Sequence, residues 1–330
     1  MLEVAIISVI KVVFVFTALL TACAYMTLIE RRVVARFQTR LGPIYTGPNG
    51  LLQPVADLVK LLFKEDIIPE HVDKKIYMIA PLAAFIPATL SIVVIPFGSS
   101  ITIFGREIDL VLSNLNVGVL YVFAVTSIGV YSIILSGWSS NSKYSLLGSI
   151  RSSAQMISYE VSMGLAVVSV VLVSGSLNLN QIVAHQANLW HIFSQPVAFI
   201  IFLVCGIAET NRAPFDLPEA ESELVAGYHT EYSAMKFGMF FVGEYANMVT
   251  VSAMAATLFL GGWQGPGDSS GIISMLWFAI KVFLFLFLYL WLRATTPRFR
   301  YDQLMSFGWK LLLPLAILNV LVTSAVVLII

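Results

Sequence analysis

Glu160, in SAQMISYEVSMG, and Glu244, in FFVGEYANM, are carboxylates set inside runs that are otherwise apolar. A charge at such a place costs from roughly 3 to more than 10 kcal/mol unless it meets water, a partner or a proton. Acids there suit a proton relay or an ion site; the alternative is a carboxyl group kept neutral by hydrogen bonds between helices. Each touches a tyrosine in sequence, Tyr159 and Tyr245. At a rise of 1.5 Å per residue Glu160 lies about 9 Å and Glu244 about 10 Å into its apolar run, so the two sit at similar depth. No apolar run supplies a lysine or arginine at that depth. A third acidic feature is AETNRAPFDLPEAESELVAGYHTEY at 208–232. It carries six of the chain's 19 acids (Glu209, Asp216, Glu219, Glu221, Glu223 and Glu231) against one arginine, Arg212. Glu209 extends the row of membrane acids toward this loop. Like charges crowded in a partly desolvated loop raise and couple one another's pKa values, which lets them accept protons. The same acids could instead form a docking surface for arginines of a partner.

These residues must be positioned by a membrane fold. The chain has 330 residues, of which 58% are hydrophobic and 12% charged, with a mean hydropathy of +0.87. Soluble domains carry about twice that charged fraction. Apolar segments near 20 residues point to helices rather than a barrel. The N-terminus lacks the basic region and cleavage site of a signal peptide. Cys23 and Cys205 lie in apolar runs, and the four histidines (71, 185, 191 and 229) are scattered. With no CxxC, GxGxxG or GxxxxGK[ST], the chain is expected to bind no metal or cofactor of its own and, alone, to have no means of carrying electrons or hydrolysing a nucleotide.

The expected fold is an all-α polytopic membrane protein, a single domain over 1–330. It has about eight transmembrane helices, an interfacial amphipathic helix and a structured acidic cytoplasmic loop at 209–236. The spans fall at 4–29, 76–97, 117–138, 154–174, 192–208, 237–260, 272–292 and 308–330, the fifth being short for a bilayer of about 30 Å. Pro81, Pro87 and Pro314 predict kinks that neighbouring helices can accommodate. The connections 30–75, 139–153, 209–236 and 293–310 hold 8, 2, 2 and 4 basic residues, or 16 of the 19. The positive-inside rule makes that side cytoplasmic and both termini external. Lys11 and Lys281, near the other ends of their spans, can snorkel to the interface.

In the first connection, Leu51, Leu52, Val55, Leu58, Val59, Leu62 and Phe63 recur at helical spacing, with Gln53, Asp57, Lys60 and Lys64 on the other side. A helix over 50–65 is too short to span, so it lies in the interface. It is either a plain connector or the frame of a lateral mouth for a lipid-like molecule. Arg31, Arg32, Arg36 and Arg40 suit anionic headgroups.

Several blocks read together: ERRVVARFQTRLGP at 30–43, GLLQPVADLVKLLFKEDIIP at 50–69, SGWSSNSKYSLLGSIRSSAQMISYE at 136–160, the stretch 208–237, and WLRATTPRFRYDQLMSFGWKLLLP at 291–314. Over nearly its whole length the chain resembles the H subunit of bacterial NADH:quinone oxidoreductase (complex I), the counterpart of mitochondrial subunit 1. The resemblance implies a subunit of the cell inner membrane where hydrophilic and membrane arms meet. Its partners there are the hydrophilic quinone-site subunits, the small membrane subunits and lipids. Quinone is the substrate, and NADH, FMN and iron–sulfur clusters reside on partner chains. The family's membrane glutamate falls on Glu160, and its loop acids fall on Asp216, Glu219, Glu221, Glu223 and Glu231. With Glu209 and Glu244 these are the expected coupling residues. The quinone-access candidates are Glu30, Arg31, Arg32, Arg36, Phe37, Arg40, Gln53, Asp57, Lys60, Arg212, Phe215 and Tyr228. Where family members carry Asn-Arg after the first Gly-Pro of the loop, this chain has Ile44 and Tyr45, so that loop is assigned no headgroup contact. Two rival readings are the equivalent subunit of a hydrogenase, F420H2 or ferredoxin-linked relative, and a stand-alone ion-coupled transporter. The transporter lacks support from any internal repeat.

Overall fold

The computed structural model describes residues 2–103, 106–216, 226–266 and 271–329. Among the described residues there are twelve α-helices and two short strands. In chain order the first six helices are α1 (Leu2–Phe37), α2 (Gln53–Phe63), α3 (Lys74–Leu90), α4 (Gly118–Ser139), α5 (Lys143–Ser174) and α6 (Leu179–His185). The others are α7 (His191–Ser194), α8 (Pro196–Glu209), α9 (Ala234–Phe259), α10 (Gly271–Thr295), α11 (Tyr301–Phe307) and α12 (Leu313–Ile329). Six segments are long and apolar enough to cross a bilayer: Ile6–Phe37, Lys74–Val94, Gly118–Ser139, Lys143–Ser174, Gly271–Thr295 and Tyr301–Ile329. The chain is therefore an all-α, multi-pass membrane protein. Helices also stand at the two other expected spans. α8 has 14 residues, about 21 Å of helix, which matches its short apolar run. α9 is 26 residues long but carries Gly243, Glu244, Tyr245 and Asn247, which dilute its hydropathy.

That dilution has a packing reason. α9 lies against α1, α3, α8 and α10, and every residue from Met248 to Phe259 is buried. Inside a membrane, helices associate through close packing of small residues rather than by expelling water. Gly243 shows it: a Cβ there would stand 3.2 Å from the Ala84 carbonyl oxygen of α3.

The C-terminal end of α9 is buried, so its last carbonyls need donors. Gln186 donates to the Thr257 carbonyl (2.8 Å), and His191 Nδ1 contacts that of Leu258 (3.0 Å). Lys281 donates to the carbonyls of Leu260, Gly262 (2.9 Å) and Gln264, with its ammonium 4.6 Å from the Trp190 ring. The expected snorkelling of Lys281 is thus incorrect. The side chain is buried, because helix-end carbonyls and an aromatic face solvate its charge in place of water. Lys11 reaches the Asp109 carbonyl (2.6 Å) in an antiparallel pair of strands, Ser100–Ile103 and Arg106–Asp109, which the sequence pattern does not indicate.

α5 begins 11 residues earlier than its expected apolar span. Its first three turns read as polar, yet Ser145, Gly148, Ser149 and Ser152 are buried, and their small side chains admit neighbouring backbone. At Gly148 a Cβ would come within 2.8 Å of the Gly227 Cα. Of the expected proline kinks, Pro81 and Pro87 lie within the continuous helix α3. Pro314 follows a π-helical turn at Gly308–Leu312, which accommodates the ring's clash with the preceding turn. α2 presents the expected apolar face, from Leu51 to Phe63, outward and exposed. Leu61 meets α9 at Gly238 instead.

Candidate functional site

At one end of the bundle the C-terminal turns of α1, α8 and α10 converge with the start of α9. Glu30 of α1 forms an ion pair with Arg293 of α10. Its carboxylate also lies 3.7 Å from Arg212, and it accepts a hydrogen bond of 2.7 Å from the Tyr245 hydroxyl of α9. Arg212 reaches on to Glu244 at 3.4 Å and stacks over the Tyr245 ring at 4.4 Å. Glu244 accepts a hydrogen bond of 2.9 Å from the Tyr228 hydroxyl. Two carboxylates and two guanidiniums thus form one charge-balanced row, in which each inner member serves two partners. Glu30, at 8% exposure, and Arg212, at 4%, are removed from bulk water, so their mutual attraction is little screened. No apolar span supplies the cation for Glu244; the loop after α8 does, by folding back with Arg212.

Cavities lie on both sides of this row. The larger, about 420 Å³, is lined by Glu30, Arg31, Arg40 and Arg293 with Val34, Ala35, Leu41, Gly42 and Pro43. At the Glu244 end is a cavity of about 30 Å³, whose walls include Glu209, Asn211, Tyr228, Glu244 and Asn247. It is large enough for a water molecule. Among the described residues, Glu209 Oε2 and Asn247 Oδ1 have no hydrogen-bond partner, and both residues face this space. Glu209 also borders a third cavity of about 20 Å³, beside Thr126, Met163 and Thr250. Glu160, next along in α5, accepts a short hydrogen bond from Ser127 of α4 and is close enough to Glu209 for their like charges to interact.

Of the expected coupling residues, the structure brings together Glu244 and Glu209, with Glu160 one step beyond. Asp216 is buried and pairs with Arg298 at 3.2 Å. The main-chain carbonyl of Glu231 accepts from Tyr77 at 2.7 Å. Glu219, Glu221 and Glu223 lie outside the described residues. Of the access candidates, Glu30, Arg31 and Arg40 line the large cavity, Arg212 bridges Glu30 and Glu244, and Tyr228 lines the small cavity. Phe215 is packed on Phe299 (5.6 Å between ring centroids). Asp57 takes hydrogen bonds from Arg31 (2.7 Å) and Gln53 (2.9 Å), which fixes α2 to α1. Arg32 is half-buried, and Arg36, Phe37 and Lys60 are exposed; none of the four lines the cavity. In the sequence Arg293 counts only toward the positive-inside tally, and Tyr245 only as a neighbour of Glu244. Their signal is present there, a cation ending one span and a tyrosine beside an intramembrane acid, but not their common partner Glu30.

The turn before α9 holds a buried imidazole. His229 lies among Tyr228, Phe237 and Phe241, at 5.0, 5.3 and 5.9 Å between ring centroids. Burial pushes its pKa from 6.5 down to about 4. The unfolded segment therefore takes up a proton as the pH falls past about 6.5, before the folded one does. Stability present above pH 6.5 is lost toward pH 4, by about 1.4 kcal/mol per unit. His229→Phe should flatten the fall in thermal midpoint of the assembled complex between pH 7 and 5. An unchanged slope would show that the imidazole is not what titrates.

Residues 10–324 match the family described as NADH dehydrogenase. The chain is 56% identical over 331 residues to a Geobacter metallireducens protein named as an H subunit of NADH-quinone oxidoreductase, covering 97% of this chain and 95% of that one. It is 54% identical over 304 residues to the Protochlamydia amoebophila protein named as the H subunit of NADH-quinone oxidoreductase, with 92% of each covered. A Thermomicrobium roseum protein of the same name is 54% identical over 318 residues, covering 93% of this chain and 92% of that one.

Proposed function

The chain belongs to the NADH dehydrogenase family, as a membrane subunit of an NADH-quinone oxidoreductase with other complex I subunits as its partners, and from that premise we propose that it forms the quinone-access chamber and the first stretch of the path coupling quinone reduction to proton translocation. One observation carries this reading: Glu30 belongs both to the wall of the 420 Å³ cavity and to the row of charges that ends in the membrane acids.

The cavity has a volume suited to a small-molecule headgroup, with apolar walls and a few convergent charges. The outward apolar face of α2 borders the same end of α1, where an isoprenoid tail can approach from the bilayer. Reduction of a quinone to its quinol consumes two electrons and two protons. The electrons come from flavin and iron–sulfur centres on partner subunits; this chain supplies charge and proton handling. A change of charge in the cavity alters the competition of Arg293 and Arg212 for Glu30. Whatever Arg212 withdraws from Glu30 it can give to Glu244, raising or lowering the cost of a negative charge there. Glu244 and Glu209 share a water-sized cavity, so a proton can pass between them through one bridging water, and Glu209 hands the change on to Glu160. The cytoplasmic placement of this end, and of both termini on the opposite face, rests on the distribution of lysine and arginine. A pure docking role fits Asp216 less well, since this chain's own Arg298 already occupies it.

A photoreactive quinone tests the access chamber in the assembled complex. It should label residues within 30–43, and native quinone should compete; Arg293→Ala should raise the apparent KM for quinone roughly tenfold, the worth of one charge-assisted hydrogen bond. Labelling confined to other segments, with an unaltered KM, would overturn the assignment.

A further inference from the structure

We infer that Gln155 is the positioning residue of the charged turn, an inference that rests on the coupling role proposed above. Its side-chain amide nitrogen donates to the Ala208 carbonyl and to the Phe215 carbonyl, each at 2.8 Å. One buried group in α5 thereby ties the end of α8 to the residue before Asp216. Glu209 and Arg212 lie between the two anchors. The reversed amide would set its oxygen against two carbonyl oxygens, so the orientation is fixed by chemistry. Ser152, one turn earlier on the same face, donates to Asn211 Oδ1 at 3.4 Å, a second tie to the same turn. Backbone hydrogen bonds within the turn, Asn211 to Ala208 and Phe215 to Arg212, close it locally. Among the described residues, α5 side chains tie it directly to the helix that bears Glu160, while the Phe299 N–H and Arg298 hold its far end at Pro214 and Asp216. Arg212 can serve Glu30 and Glu244 together only while that placement holds.

The chemistry of the amide provides a readout that ordinary packing would not move. Leucine at 155 keeps bulk and loses both donors at every pH. Glutamate retains one donor while protonated; once ionised, it turns a negative charge toward two carbonyl oxygens in a buried site, which raises its pKa. The complex is reconstituted in liposomes, and proton translocation per quinone reduced is followed from pH 6 to 9. Ferricyanide reduction by NADH, a reaction of partner subunits, serves as the measure of assembly. Gln155→Leu should lower translocation roughly tenfold across the range, as expected when the turn loses both ties from this side chain and the buried Phe215 carbonyl its donor. Gln155→Glu should work close to normally at the acid end and fail toward the alkaline end. Should the leucine variant fail to assemble, the pH profile of the glutamate variant carries the test alone. The inference is overturned if both variants translocate normally, or if both are impaired equally at all pH values. Glu209→Gln, run in parallel, separates the two levels. Loss there with normal Gln155 variants removes only the positioning role, while normal translocation in all three removes the coupling reading beneath it.

Discussion

Replacing Arg212 with leucine is expected to cut quinone-linked proton translocation at least tenfold, because it breaks the link between the access cavity and the membrane acids. Among the described residues, Arg212 reaches both the cavity-lining Glu30 and the interior Glu244, at 3.7 and 3.4 Å. Removing one partner of a buried ion pair typically costs about 3–5 kcal/mol, because a desolvated charge is left behind. Glu30 would keep Arg293, whereas Glu244 would keep the Tyr228 hydroxyl. Glu244 is therefore the carboxylate that loses its Arg212 cation. Lysine at 212 should restore only part of the function, since a point charge cannot address two carboxylates as a planar guanidinium does. Adding Glu244→Gln to Arg212→Leu removes the orphaned charge and should recover assembly without recovering translocation. Blue-native electrophoresis reports the first and membrane potential per NADH oxidised the second. Recovery of both would mean that the row is only a structural clasp.

The second large effect is expected at Glu209. It borders both small cavities, and its Oε2 has no hydrogen-bond partner among the described residues. A structural carboxylate at 8% exposure would be satisfied by its neighbours; one left open toward water-sized spaces is placed to receive a proton. Glu209→Gln keeps shape and hydrogen bonding but cannot ionise. Assembly should be normal and translocation reduced by tenfold or more. Glu209→Asp, which retracts the carboxyl from the cavities while remaining ionisable, should fall between the two. Full translocation with glutamine at 209 would remove this residue from the path.

Much of the architecture was legible because bilayer thickness dictates a length and hydropathy that a sequence displays directly. Helices stand at all eight expected positions, and six of them are long and apolar enough to cross a bilayer. The exceptions are instructive. The first turns of α5 carry serine and glycine, which read as surface but serve to let the backbone of the 227–229 turn approach. The buried state of Lys281 was hidden because its partners are carbonyls, and no sequence pattern marks a carbonyl. In the functional region, the acids were visible as charges in apolar surroundings, yet their partners were not. Tyr245 joins Glu30 across 215 residues and Arg293 joins it across 263, separations that only packing of the whole bundle can close. Gln155 gave no signal, since a neutral amide among serines looks like any polar helix face. The subunit family, by contrast, is shown by relatives 54–56% identical over nearly the full chain that bear the name of the H subunit of NADH-quinone oxidoreductase.

The most direct test of the central claim is proton translocation by reconstituted complex carrying Glu160→Gln, measured as protons moved per NADH oxidised with quinone as acceptor. Glu160 lies farthest from the access cavity along the proposed row, held by Ser127 and, among the described residues, by no cation. A change there can act on pumping without disturbing the cavity walls. The expected result is an assembled complex whose translocation is abolished. An assembled complex that pumps at the full wild-type ratio would contradict a path through these carboxylates.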